Sequence, residues 1–173
     1  MGLTKIGING FGRIGRNAFK IAFERSDIEI VAINDLTDTK TLAYLLKHDS
    51  NYGTYEHEVT FDETNIIVDG KTIKVLAEKD PAALPWGNLE VELVIESTGR
   101  FTKQEDAEKH ITAGAKRVVI SGPSKSEGVD TLVLGANEEK IPGSSVVVNN
   151  ASCTTNSVAS AMAILDAEFG VEK

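Results

Sequence analysis

The chain has 173 residues, 41% of them hydrophobic, with one cysteine and a formal net charge of −8 at pH 7. That balance disfavours nucleic acid and anionic membranes, whose phosphates an acidic chain repels; a lone cysteine excludes an internal disulfide and suits a reducing cytoplasm. No apolar run approaches the ~20 residues that span a bilayer, the first residues enter a strand pattern without a signal-peptide core, and one domain, or one domain and part of another, is the expected count.

In chain order, Lys5 to Asn9 reads as a short buried strand, and Gly10 to Gly15 interrupts it. From Arg13 to Arg25 the apolar residues Ile14, Ala18, Ile21 and Ala22 fall at helical spacing. Ile28 to Ile33 is a second strand. Asp38 is placed to cap a helix over Thr39 to Lys47, with Leu42, Leu45 and Leu46 inward. Three short alternating segments follow, Glu58–Phe61, Ile66–Val68 and Thr72–Leu76, and Asp69-Gly70 between the last two is a hairpin signal. They read as an antiparallel insertion. Val91–Ile95 returns to the buried type, Gln104–Ala113 to a helix, and Arg117–Ile120, Thr131–Leu134 and Val146–Val148 to strands. A last helix leads out past Cys153. Strands alternating with helices imply an α/β fold, a doubly wound and mostly parallel sheet covered on both faces.

Gly10-Phe11-Gly12-Arg13-Ile14-Gly15 is a G-x-G-x-x-G between the first strand and the first helix. Its glycines permit a tight turn and close backbone approach to a pyrophosphate, and the helix N-terminus favours the anion. Alone the pattern is weak. Here a strand precedes it, a helix and a second strand follow, and Asp35 lies twenty residues beyond Gly15. Asp35 is expected to accept from a ribose 2′-hydroxyl; a 2′-phosphate would meet it as a like charge, and Leu36 offers no cation, so NAD is favoured over NADP. The alternative is that Asp35 caps the strand end in a turn with Asn34. No metal site is expected.

Cys153 lies in Ala151-Ser152-Cys153-Thr154-Thr155-Asn156, between a strand-like and a helix-like run. A strand-to-helix junction is where a nucleophile is placed, because helix N-termini favour anions. The competing reading is a small buried hydrophobe. The polar neighbours are poor core partners and good helix caps, and their hydroxyls and backbone N–H groups suit a phosphate or an oxyanion.

Five segments carry a specific resemblance: Ile6–Arg16, Asn34-Asp35-Leu36, Glu96–Thr102, Ser121-Gly122-Pro123-Ser124-Lys125 and Ala151–Asn156. In this order and spacing the chain resembles phosphorylating glyceraldehyde-3-phosphate dehydrogenases of the bacterial glycolytic type, along essentially its whole length. The resemblance implies a Rossmann-like NAD-binding domain over residues 1–150 and the start of a catalytic domain over 151–173. It implies Cys153 as the nucleophile that forms a hemithioacetal and then a thioester, released by inorganic phosphate as 1,3-bisphosphoglycerate. It implies that Ser152 and Thr154 bind phosphate or the substrate, glyceraldehyde 3-phosphate. It implies further that Gly10, Gly12 and Gly15 form the pyrophosphate loop and that Arg13 and Ile14 contact the pyrophosphate through the backbone. Asp35 holds the adenine ribose, and Lys79, Thr98, Gly99 and Ser121 line the rest of the groove. For Lys79 a solvated surface lysine is the equal alternative. A cytoplasmic homotetramer is implied for the full-length family, with no nucleic-acid or membrane partner.

Some positions depart from the family pattern: Ser157 replaces a frequent second cysteine, Ser160 a frequent proline, Lys79 an arginine and Gly122 an alanine. The family's activating histidine falls beyond Lys173, and His48, His57 and His110 all read as solvated surface residues. The last helix carries an apolar stripe of Val158, Met162, Leu165 and Phe169. The chain is thus expected to hold the nucleophile and the cofactor platform of a longer enzyme and to be inactive alone. The rival readings are an erythrose-4-phosphate dehydrogenase, another cysteine-dependent semialdehyde dehydrogenase, and a short protein that binds NAD or a partner without catalysis.

Overall fold

The computed structural model describes residues 2–172. Among the described residues, eleven strands and four α-helices follow in this order: β1 (Thr4–Asn9), α1 (Arg13–Phe23), β2 (Ile28–Asn34), α2 (Thr39–Lys47), β3 (His48–Asp49), β4 (Gly53–Thr54), β5 (Val59–Phe61), β6 (Asn65–Val68), β7 (Lys71–Leu76), β8 (Leu93–Glu96), α3 (Gln104–Thr112), β9 (Arg117–Ile120), β10 (Asp130–Thr131), β11 (Val147–Asn149) and α4 (Cys153–Phe169). Nine strands form one sheet in the order β10-β11-β9-β8-β1-β2-β7-β6-β5, and β3 pairs with β4 separately. From β10 to β7 every pairing is parallel, while β7–β6 and β6–β5 are antiparallel. The insertion expected between α2 and β8 is therefore an extension of the main sheet. Its last strand, β7, pairs parallel with β2 on one edge and antiparallel with β6 on the other.

Local chemistry accounts for most boundaries. Asp38 accepts from the Thr41 N–H at 2.9 Å and caps α2, worth about 1 kcal/mol. Asp69 and Gly70 both take positive φ, 47° and 78°, as a two-residue hairpin turn that matches strand twist requires. The expected strand over Thr131–Leu134 is cut to Asp130–Thr131. Asn137 takes the Val133 N–H at 2.8 Å and gives its own amide to the Thr131 carbonyl at 2.7 Å. These side-chain bonds replace a sheet ladder with a turn.

Helices cover both sheet faces. On one, Phe19 and Ala22 of α1 and Leu42, Ala43 and Leu46 of α2 pack on Ile6, Ile8, Ile30 and Ile33. The buried stripe of α1 is Gly15-Phe19-Ala22, whereas Ile14 and Ile21 of the expected set are exposed. Gly15 lets the helix approach the strand closely, so the face that carries it turns inward. On the other face, Ala107 of α3, Trp86 and Leu84 pack on Ala32, Val94, Val118 and Val147. A Cβ on Gly7 would come within 2.8 Å of the Trp86 ring, so β1 is bare there to seat the indole. No residue of α4 is buried; its stripe of Val158, Met162, Leu165 and Phe169 is exposed.

Candidate functional site: a dinucleotide cleft and an exposed thiol

Strand order reverses between β1 and β8: the chain proceeds outward from β1 through β2 to β7, then returns to β8 on β1's other side. Ligands of open α/β sheets bind at such a point, beyond the carboxyl ends of the strands. A cleft of about 520 Å³ lies there, within the usual range for ligand pockets. The structure brings Gly10, Gly12, Asp35, Lys79 and Thr98 of the expected set to its walls. Leu36, Glu78, Arg100 and Phe101 also line it, without having been expected as site residues. Their signal was position: three of the four stand inside the Asn34–Leu36 and Glu96–Thr102 segments already singled out.

The three glycines of the loop do different work. Gly10 has φ +90°, and a Cβ there would lie 2.6 Å from the Thr98 nitrogen. On Gly15 a Cβ would lie 2.0 Å from the Gly10 carbonyl oxygen. Both are required by close packing of the protein on itself. Gly12 differs: a Cβ there would meet nothing within 4 Å. The protein leaves that space clear at the N-cap of α1, and no side chain caps the helix. Open backbone N–H groups beside a bare position fit a pyrophosphate.

Asp35 is fixed to the loop. Its Oδ2 accepts from the Phe11 N–H at 2.8 Å and its Oδ1 from the Thr37 N–H at 3.0 Å. The carboxylate thus lies at the end of β2 facing the cleft, tied to the phosphate loop rather than to Asn34. Asn34 turns inward instead: its side chain accepts from the Glu78 N–H at 2.8 Å and donates to the Glu78 carbonyl at 2.9 Å. That clamp holds the segment carrying Lys79 against the cleft. Arg13 and Ile14 are exposed on the first turn of α1, Gly99 follows β8 with φ +71°, and Ser121 follows β9 one strand farther along.

Residues 4–104 match the family described as glyceraldehyde 3-phosphate dehydrogenase, NAD binding domain. The chain belongs to the glyceraldehyde-3-phosphate dehydrogenase family. It is 55% identical over 172 residues to glyceraldehyde-3-phosphate dehydrogenase 1 of Bacillus cereus, covering 99% of this chain and 51% of that protein. The enzyme of Geobacillus stearothermophilus is 54% identical over 169 residues (97% and 50%), and that of Streptomyces coelicolor 57% over 171 (98% and 51%). The chain spans about half the length of the curated relatives it matches. As a member of this family it uses NAD, and its Rossmann architecture and cleft fit that cofactor.

The segment Ala151–Asn156 leads into α4. Cys153 is exposed and is the first residue of the helix. Ser152 caps it, accepting from the Thr155 N–H at 3.1 Å, and its hydroxyl lies 2.8 Å from those of Thr154 and Thr155. The turn before it is strained: Ala151 holds φ +57°, a region that costs a residue with a Cβ about 1–2 kcal/mol. Asn149 and Asn156 brace it. Asn149 accepts from the Ala151 N–H at 3.0 Å, and Asn156 donates to the Asn150 and Ser152 carbonyls at 2.8 and 3.0 Å.

Two of the three histidines are not the solvated surface residues expected. His48 is exposed, as expected. His57 is not freely solvated: it bridges Asp69 and Glu24, which together raise its pKa from the ordinary value, the Asp69 hydrogen bond most. His110 is fully buried. Its Nδ1 lies 2.9 Å from the Trp86 indole nitrogen and its Nε2 lies 3.1 Å from Glu96 Oε2. The polar sequence of α3 hides this, because the partners that bury His110 lie on other elements. None of the three is hydrogen-bonded to Cys153. Among the described residues no group of three or more His, Cys, Asp or Glu is placed to hold a metal ion, and no helix is long and apolar enough to cross a membrane.

Proposed function

We propose that this chain supplies the cofactor domain and the nucleophile of an NAD-dependent glyceraldehyde-3-phosphate dehydrogenase that forms 1,3-bisphosphoglycerate. One observation carries the reading. β1, β8, β9 and β11 are mutually parallel, so the exposed thiol that follows β11 stands on the same edge of the sheet as the NAD cleft. Bound NAD supplies the hydride acceptor. Cys153 Sγ adds to the aldehyde carbon and afterwards holds the acyl group as a thioester, which stays activated for attack by phosphate as an oxygen ester would not. The clustered hydroxyls of Ser152, Thr154 and Thr155 at the helix N-terminus suit an anionic oxygen or phosphate. Gly10, Gly12, Arg13, Ile14 and Gly15 serve the pyrophosphate, Asp35 the adenine ribose, and Lys79, Thr98, Gly99 and Ser121 the remaining length of the cofactor.

The division into a cofactor domain over 1–150 and a catalytic segment over 151–173 belongs to the same proposal; it is supported by the absence of buried residues in α4. A homotetramer, the assembly the family resemblance suggests, and a reducing cytoplasm, which a lone cysteine suits, belong to the same proposal. The test is turnover by the enzyme of which this chain forms part. NAD reduction should require both glyceraldehyde 3-phosphate and inorganic phosphate, and Cys153→Ser should abolish it while NAD binding persists. Activity without phosphate, preference for erythrose 4-phosphate, or turnover by the serine variant would refute the assignment.

A second reading rests on a specific observation: the thiol has no histidine partner among the described residues. General-base help is worth 10²–10⁴-fold, so the 173-residue chain alone is expected to bind NAD without phosphate-dependent turnover. Turnover by the pure chain at ordinary enzyme rates would remove that reading.

A further inference from the structure

Beneath the floor of the NAD cleft lies a buried polar cluster that none of the roles above uses. Glu96 ends β8 and is 1% exposed. Its carboxylate accepts from four donors: the Asn9 amide at 2.5 Å, His110 Nε2 at 3.1 Å, and both the backbone N–H and the hydroxyl of Thr98. An indole N–H only donates, so His110 Nδ1 accepts from Trp86 and its Nε2 carries the proton given to Glu96. Asn9 in turn accepts from the Asn34 amide at 2.7 Å, and Asn34 clamps Glu78.

Three walls of the cleft therefore meet at one acceptor. Thr98 is held directly, the start of the phosphate loop through Asn9, and the Glu78–Lys79 wall through Asn9 and Asn34. A helical histidine and a tryptophan on the opposite face complete the cluster without touching the cleft. A buried polar group costs stability unless fully satisfied, and an apolar strand end would have served packing alone. We infer that Glu96, oriented by His110, is a positioning residue that fixes the geometry of the adenosine half of the NAD cleft. It acts through Thr98, Asn9 and Asn34 and touches no cofactor atom itself.

The inference rests on the cleft being the NAD site, and the experiment separates the two. NAD and AMP affinities of the 173-residue chain are measured by calorimetry, well below each variant's unfolding temperature, for Glu96→Gln, Thr98→Val, Thr98→Ser and Asp35→Ala. Glutamine at position 96 sets an amide donor against the cluster's donors, so NAD and AMP should both weaken at least 10-fold, by the same factor. Thr98→Val, close in shape and partly exposed, removes one hydroxyl donor from Glu96 and should weaken both ligands 3- to 10-fold; Thr98→Ser should restore them. If Glu96→Gln does not fold, Glu96→Asp, which keeps the charge but not the reach to Asn9 and Thr98, takes its place with the same expected weakening, and wild-type affinities in it would likewise overturn the inference. Wild-type AMP and NAD affinities in folded Glu96→Gln, at whatever unfolding temperature, would make the cluster merely structural and overturn the inference. So would equal affinities for Thr98→Val and wild type. Unchanged NAD affinity in Asp35→Ala would instead refute the cleft assignment.

Discussion

Replacing Gly12 and Gly15 by alanine, one at a time, separates what the fold requires of the phosphate loop from what the cofactor requires. A Cβ on Gly15 would stand 2.0 Å from the Gly10 oxygen. Relief to an ordinary contact, which begins at 3.4 Å, needs α1 to retreat by about 1.4 Å, which disturbs Phe19 where it meets Phe11 edge-on at 5.5 Å. Overpacking of this kind costs about 3 kcal/mol, the upper part of its usual range. With a urea m-value of about 2 kcal/mol/M, the midpoint should fall by about 1.5 M. Gly12→Ala meets no protein atom within 4 Å and has φ −70°. Its N-cap cost, the difference between alanine and glycine at that position, is roughly 0.5–1 kcal/mol and is offset by about 0.4–1 kcal/mol of lost unfolded-state freedom. Its midpoint should therefore stay within about 0.3 M of wild type, while its Kd for NAD rises at least ~10-fold, or 1.4 kcal/mol, because the methyl stands where the pyrophosphate would approach. Trp86, the chain's one tryptophan and fully buried, reports unfolding; calorimetry reports binding. Equal destabilisation by the two substitutions, or unchanged NAD affinity in Gly12→Ala, would refute the division of labour.

Three further outcomes are expected. His57 has a raised native pKa, from Asp69 first and Glu24 second, so its contribution to stability is complete below the unfolded value of about 6.5 and is lost as pH rises through the native value; denaturation midpoints of His57→Gln should lack this decline, and a parallel decline in the variant would exclude the bridge as its source. Ala151→Gly should raise stability by about 0.5–1 kcal/mol by relieving the positive φ, less than the full strain because glycine loses more freedom on folding; a loss seen in urea titration would show that the turn is not strained. Leu165→Ser with Phe169→Ser on α4 should leave the unfolding free energy within about 0.5 kcal/mol of wild type, as exposed substitutions do, while reducing binding of a hydrophobic dye; a large destabilisation would mean that α4 docks on the rest of the chain.

Local signals in the sequence were dependable where the chemistry is local. The Asp38 cap, the Asp69-Gly70 turn and the glycine loop each depend on residues within a few positions, and each is found where it was read. Alternation of strands and helices sufficed for the parallel sheet. What failed depended on side-chain partners that periodicity does not register, near in the chain for β10 and distant for His110. Strand β10 is shortened by Asn137, whose side chain competes for the backbone it would have paired. The inward face of α1 follows Gly15 and Phe19 because close helix–strand approach outweighs the exposed isoleucines. His110 sits in a polar helix and is buried only because Trp86 and Glu96, 24 and 14 residues away, meet it on the face of the sheet that α3 covers. One signal for that cluster was present: Glu96 ends the otherwise apolar strand Leu93-Val94-Ile95, where a charge would be costly without a built partner.

The most direct test of the central claim is a crystal structure of the chain grown with NAD. The pyrophosphate is expected over the backbone N–H groups at Gly12, Arg13 and Ile14, the adenine ribose on the Asp35 carboxylate, and the adenine between the walls that carry Leu36 and Phe101. A dinucleotide seated elsewhere on the sheet, or one whose ribose hydroxyls turn away from Asp35, would contradict that claim.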